Sequence, residues 1–239
     1  MASIEVSEER GVRYLHFGSE LVLGAMRIAR PWALELEYTR ELMLPLLLRD
    51  NPGWPTRVLQ IGLGAASITR FLHRNYPETR LTVVEIDPRV IATAQEFFKL
   101  PGESERLRIV VGDGHEFVAG HGARFDWIVV DGFDEKGRTG SLDTREFYSA
   151  CRARLTARGM MSVNLLTRRR GVAASEGRMR EVFGDNVLVL PPPEAGNTVA
   201  IVALEPPRAA TFPDLREAAS ALRARTGLNL LPTLARLAR

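Results

Sequence analysis

Cysteine and lysine are nearly absent from these 239 residues: Cys151 is the single thiol, and of 32 basic residues only Lys99 and Lys136 are lysine. A lone cysteine excludes an intrachain disulfide and leaves any cysteine-based metal centre dependent on other ligands. Cys151 falls in FYSACRARL, where a helical pattern makes a buried packing thiol a commoner outcome than a nucleophile. No run of about eighteen uncharged apolar residues occurs, and the opening MASIEVSEER is charged where a secretory leader needs an apolar stretch. A cytoplasmic protein without a membrane segment is expected. Aromatic residues make up 7%, and the tight basic cluster Arg168-Arg169-Arg170 has no aromatic neighbour, so no nucleic-acid partner is expected and a solvated loop is the plainer assignment. The histidines His16, His73, His115 and His121 show no ligand spacing, which argues against a metal. The net charge of +3 reflects an arginine-rich composition more than a binding surface.

What is present is a regular alternation. Short apolar runs, VLQIG (58–62), LTVVEID (81–87), LRIVVGD (107–113), DWIVVDG (126–132) and MMSVNLL (160–166), alternate with stretches whose apolar residues recur at three and four. That alternation predicts five parallel strands with crossover helices, some opening after an Asp that can cap them. After a helix around 172–183, NVLVLP (186–191) and NTVAIVALE (197–205) are joined by a short Pro- and Gly-containing link and read as a hairpin closing one sheet edge. The fold expected is α/β, a doubly wound Rossmann-like sheet of the S-adenosylmethionine-dependent methyltransferase type, with five parallel strands plus a terminal antiparallel hairpin. Before it, IEVSEE, VRYLHFG and ELVLGAMRIA predict a small β region, and ALELEYTRELMLPLLL an amphipathic helix. The expected organisation is residues 1–50 as the N-terminal β region and linking helix, 51–206 as the nucleoside-binding domain, and 207–239 as a helical tail packed on the surface or on a neighbouring subunit.

The candidate chemistry sits where the strands end. Gly62-Leu63-Gly64-Ala65-Ala66 opens a helix after the first strand, and glycine there lets backbone approach a ligand at the helix's positive end. Such a turn also occurs for packing alone. Glu85, about 20 residues on at the end of the second strand, can accept both ribose hydroxyls. Its alternative, capping the next helix, suits Asp87 before Pro88 better. Asp113-Gly114 ends the third strand, where a carboxylate can accept from an adenine amine, with helix capping about as good an explanation. The fourth strand runs into Asp131-Gly132-Phe133-Asp134, whose two carboxylates can serve a cationic amine: one takes its proton, the other holds a second ammonium.

In VVEIDPRVIATAQEFF, RLRIVVGDGHEFV and WIVVDGFD followed by REFYSACRARL, the chain resembles the spermidine synthase family of aminopropyltransferases, from about Gly11 to Glu205. The resemblance implies decarboxylated S-adenosylmethionine as co-substrate, a di- or polyamine acceptor and a homodimer. It also implies Glu85 at the ribose, Asp113-Gly114 at the adenine, Asp131 as general base and Asp134 at the amine. The family's GGGDGG loop is matched here with Ala65 and Ala66 in place of the Asp and the next Gly, and its D-P-x-G-P by Asp134 and then Glu135, Lys136, Gly137 and Arg138. Two further functions stay open on the sequence: a methyltransferase using intact S-adenosylmethionine, which Ala65 would favour, and a noncatalytic nucleoside-binding relative.

Overall fold

The computed structural model describes residues 3–18, 21–49, 53–120, 122–133, 137–165, 171–191, 197–206 and 211–238. Asp134, His121, the Arg168–Arg170 cluster and most of the Pro- and Gly-containing link therefore lie outside the described residues. At the N-terminal side β1 (Ile4–Glu9), β2 (Val12–Phe17) and β3 (Leu21–Arg27) form a three-stranded antiparallel sheet. Then come α1 (Glu37–Glu41) and α2 (Pro45–Leu48), followed by an alternating series: β4 (Arg57–Ile61), α3 (Ser67–Asn75), β5 (Arg80–Glu85), α4 (Pro88–Phe97), β6 (Leu107–Val111), α5 (Gly114–Ala119), β7 (Phe125–Val130), α6 (Arg145–Arg154), β8 (Leu155–Leu165) and α7 (Gly171–Phe183). The hairpin strands β9 (Val187–Val189) and β10 (Thr198–Ala203) close the series, and α8 (Phe212–Thr226) and α9 (Leu231–Leu237) follow.

The seven later strands make one sheet in the order β6-β5-β4-β7-β8-β10-β9. β4 to β8 pair in parallel, while β10 runs antiparallel to both β8 and β9, so the expected five-plus-hairpin sheet is the one found. The order reverses between β4 and β7, which opens a crevice above their C-terminal ends. Both sheet faces are buried. One packs Val58, Val83 and Trp127 against α3, α4 and the α8–α9 region, and the other packs Leu59, Ile128 and Val130 against α5, α6 and α7. Cys151 is buried in the second of these layers, where burial pushes its thiol pKa up and leaves it an unreactive packing group.

One expectation is corrected. The stretch 33–48 does not form a single amphipathic helix but two short ones, because Pro45 has no N–H to continue the first and instead starts the second at its N1 position. Met43 and Leu44 between them turn tightly on the carbonyls of Arg40 and Glu41. The two α-helices beyond Pro207 pack on this same chain: Leu222, Leu228, Leu230 and Leu234 enter the first core layer, and Arg236 of α9 hydrogen-bonds to Glu37 and Glu41 of α1. Glu41 is 0% exposed, and its Oε2 is buried without a partner, so its charge depends on Arg236. Removing one member of a buried ion pair strands the other. Arg236→Ala is thus expected to lower unfolding free energy by about 3–5 kcal/mol, read from the urea midpoint; a loss no larger than that of an exposed arginine on α8 would contradict this role.

Candidate active site

The turn after β4 is closed on both sides by protein. Gly62, at φ +88°, sits where a Cβ would lie 2.2 Å from the Asp131 carbonyl oxygen, and Gly64, at φ +50°, where it would lie 2.7 Å from that of Leu23. Close packing therefore already demands both glycines, and both also line the cavity described below. Gly24 of β3 lies against Ala65 just as closely, so the N-terminal sheet rests directly on this turn. The Ser67 hydroxyl donates to the Ala25 carbonyl, which fixes that contact.

Glu85, at the tip of β5, is only 7% exposed. Its Oε2 accepts from the Leu63 N–H at 2.8 Å and its Oε1 from the Asp87 N–H at 3.0 Å. Burial raises its pKa while these backbone donors oppose the rise. The cap of α4 is Asp87, which accepts from the Arg89 N–H at 2.9 Å, leaving Glu85 spare for the crevice. Asp113 does cap a helix: its Oδ1 accepts from the Glu116 N–H at the start of α5 at 2.9 Å, and its carboxyl also borders the cavity. At Gly114 a Cβ would stand 2.4 Å from the Ile61 side chain, so glycine is required there.

Asp131 follows β7. Its Oδ1 accepts from Asn164 Nδ2 of β8 at 2.8 Å, and the Tyr38 hydroxyl of α1 lies near enough to the same carboxylate to lower its pKa. Burial, with the nearby Glu85 charge adding to it, outweighs these two groups and pushes the Asp131 pKa from 3.8 up to about 7. The same contact raises the Tyr38 pKa, chiefly through burial and then through the Asp131 charge. Asn164 is 2% exposed, and its Oδ1 is buried without a partner.

These groups border one cavity of about 290 Å³, lined by Gly62, Gly64, Glu85, Asp113, Gly114, Asp131 and Asn164 together with apolar walls from Phe17, Ile86, Val90 and Leu142. That size is near the lower end for a small-molecule site. Ile86 is 64% exposed, an apolar face left open at the rim. Among the described residues the cavity carries three carboxylates and one cation, Arg138. The structure thus brings together every anticipated position except Asp134, which is not among the described residues. It adds Tyr38 and Asn164, which sequence reasoning missed. Asn164 left a trace, an amide in the largely apolar run MMSVNLL; Tyr38 left none, because it reaches Asp131 across the fold. No group of three His, Cys, Asp or Glu side chains among the described residues is arranged to hold a metal ion.

A family model of the spermine/spermidine synthase domain matches residues 37–202, which holds the loop, Glu85, Asp113, Asp131 and Asn164. The chain belongs to the spermine/spermidine synthase family. A polyamine aminopropyltransferase of Chromobacterium violaceum is 35% identical over 228 residues, 95% of this chain and 86% of that protein. One from Neisseria meningitidis is 34% identical over 234 residues, covering 98% and 88%. Among solved structures, a probable spermidine synthase from Corynebacterium glutamicum aligns with a TM-score of 0.78 at 21% identity, over 95% of this chain and 91% of that one. A spermidine synthase in complex with the transition state analogue AdoDATO aligns at 0.70 and 22%, over 99% and 85%. These two likenesses carry the fold of this spermine/spermidine synthase family member.

Between the ordinary 3.8 and about 7, the folded chain keeps a proton on Asp131 that the unfolded chain has released. The stability that this proton contributes is therefore present at low pH and lost as pH rises through that window. Asp131→Asn removes the titration, so its thermal midpoint relative to wild type should improve between about pH 5 and about pH 8. An offset equal at both values would mean that Asp131 is not perturbed.

Proposed function

We propose that this protein is an aminopropyltransferase, moving an aminopropyl group from decarboxylated S-adenosylmethionine to a di- or polyamine, with Asp131 as general base. The observation that carries the chemical part is Asp131 itself: a carboxylate poised near neutral pH, held by Asn164 with Tyr38 close by, facing a cavity whose carboxylates outnumber its cations among the described residues. Such a cavity favours a sulfonium and an amine over anionic ligands. The residues suit a nucleoside as well. Glu85 would accept the ribose hydroxyls, Asp113 and Gly114 would meet the adenine, and Ile86, Val90 and Leu142 offer it apolar contact.

The acceptor amine, mostly protonated at neutral pH, must lose a proton before it attacks. Asp131 takes that proton. The amine nitrogen then forms a bond to the carbon next to the sulfonium, the C–S bond breaks, and its electron pair stays on sulfur as methylthioadenosine leaves. Asn164 Oδ1, buried and unpartnered, gives the amine an acceptor that helps to aim it. Asp134 would hold the far ammonium. In this reading residues 51–206 form the nucleoside-binding domain, residues 1–50 cover it, the tail from 207 braces it, and the active protein is a cytoplasmic homodimer.

kcat/KM is expected to rise with pH to a plateau above about 7, and Asp131→Asn to lower it about 10²–10⁴-fold with methylthioadenosine affinity retained. Survival of turnover in that variant would remove Asp131 from the chemistry. Glu85→Gln should weaken methylthioadenosine binding by about 1.5–3 kcal/mol, measured calorimetrically, and unchanged affinity would rule out the ribose contact. Comparing decarboxylated with intact S-adenosylmethionine in the same titration tests the donor: tighter binding of the intact form would favour methyl transfer.

A further inference from the structure

The opposite edge of the same sheet carries a second, larger concavity of about 570 Å³, at the N-terminal ends of β4, β5, β6 and β7 and beneath the end of α5. Its charged lining is five arginines, Arg57, Arg80, Arg106, Arg108 and Arg154, against two glutamates, Glu105 and Glu116. The strand register places three of these arginines together. Arg57 and Arg80 are direct partners across the β4–β5 pair, and Arg108 partners Thr82, two residues further along β5, so all three project from one sheet face. Like charges set opposite each other in a sheet are unfavourable unless something neutralises them.

Among the described residues none of Arg57, Arg80, Arg108 and Arg154 forms an ion pair. Asp126 of β7, next to Arg57, is engaged elsewhere, accepting from the backbone N–H groups of Thr56 and Arg57 and from the hydroxyls of Thr56 and Thr156. Arg106 alone is used structurally, donating to the Pro77 carbonyl and contacting His73. Arg154 is the most telling. It is 8% exposed, its Nε is buried without a partner, and its only described interaction is with the Phe125 ring. Its two terminal nitrogens stand beside Gly122, which also borders the groove. Among the described residues no group accepts from this guanidinium, and its buried Nε is costly to leave unpaired unless an anion completes the site.

We propose that this groove binds a small anion carrying two or more phosphates, with Arg154 as the buried anchor and Arg57, Arg80 and Arg108 gripping the outer phosphates. Guanidinium forks match phosphate oxygens in pairs, and three or four of them spread over a concave floor suit linked phosphates better than a single carboxylate. The site is separate from the cavity at the strand C-termini, on which the aminopropyl chemistry rests, so either assignment can fail alone.

The test is calorimetric titration of the full chain with inorganic pyrophosphate and tripolyphosphate, which lack any nucleoside to enter the other cavity. Saturable binding that weakens with added salt is expected, about tenfold or more weaker in the exposed double variant Arg57→Gln/Arg108→Gln. Methylthioadenosine should not displace it. Arg154→Met should abolish binding and, without anion, raise the thermal midpoint, because an unpaired buried cation is replaced by an apolar side chain of similar length. No saturable binding, binding untouched in the double variant, or displacement by methylthioadenosine would each overturn the proposal. So would duplex DNA binding more tightly than tripolyphosphate through the same arginines, which would make the groove a nucleic-acid surface.

Discussion

Backbone meets backbone at Gly62, and the site is built on that contact. The turn leaving β4 passes so close to the Asp131 carbonyl that no side chain could intervene, and one residue later its Leu63 N–H is held by the carboxylate of Glu85. Three strand tips are thereby tied at one point. A bulkier residue at position 62 would push β7 away from β4, and with it Asp131 away from Glu85. β3 completes the enclosure from above, where Gly24 settles on Ala65 and Gly64 meets Leu23. The cavity is what remains between surfaces that cannot approach further.

Charge is sorted between the two ends of the sheet. Acids collect at the C-terminal edge, where each is partly satisfied by backbone or amide donors and still faces open space. Arginines collect at the N-terminal edge, in adjacent register and, among the described residues, without carboxylate partners of their own. The small net charge of +3 conceals this polarity. A cationic amine and a phosphorylated anion would each find one end attractive and the other repellent.

Much of the fold could be read in advance because a buried sheet writes its strands as largely apolar runs, and the five parallel strands and the two of the hairpin all appeared as VLQIG, LTVVEID and their successors. The helix expected across 33–48 failed at Pro45, where the missing N–H outweighed the apolar spacing. At the site, acids at strand tips were legible because the doubly wound topology sends such tips to one crevice, and the division of labour between Asp87 and Glu85 followed from Pro88 alone. Asp113 turned out to be a helix cap that also faces the cavity, so the choice between those two roles was never exclusive. Tyr38 could not be found this way: its partner Asp131 lies 93 positions on in the sequence, and no local pattern encodes a contact between elements so far apart. The arginine groove was likewise invisible, since what distinguishes it from a compositional bias is strand register and the lack of partners, neither of which a count of arginines contains.

α1 carries Tyr38 on one side of its single turn and, within three residues of it, Glu37 and Glu41, both gripped by Arg236 of α9. Through that grip, a helix far from the crevice braces the turn that brings a phenol near the proposed base. Burial and Asn164 weigh most on the proton affinity of Asp131 and Tyr38 adds to them, so a change confined to α9 reaches that carboxylate only by way of α1.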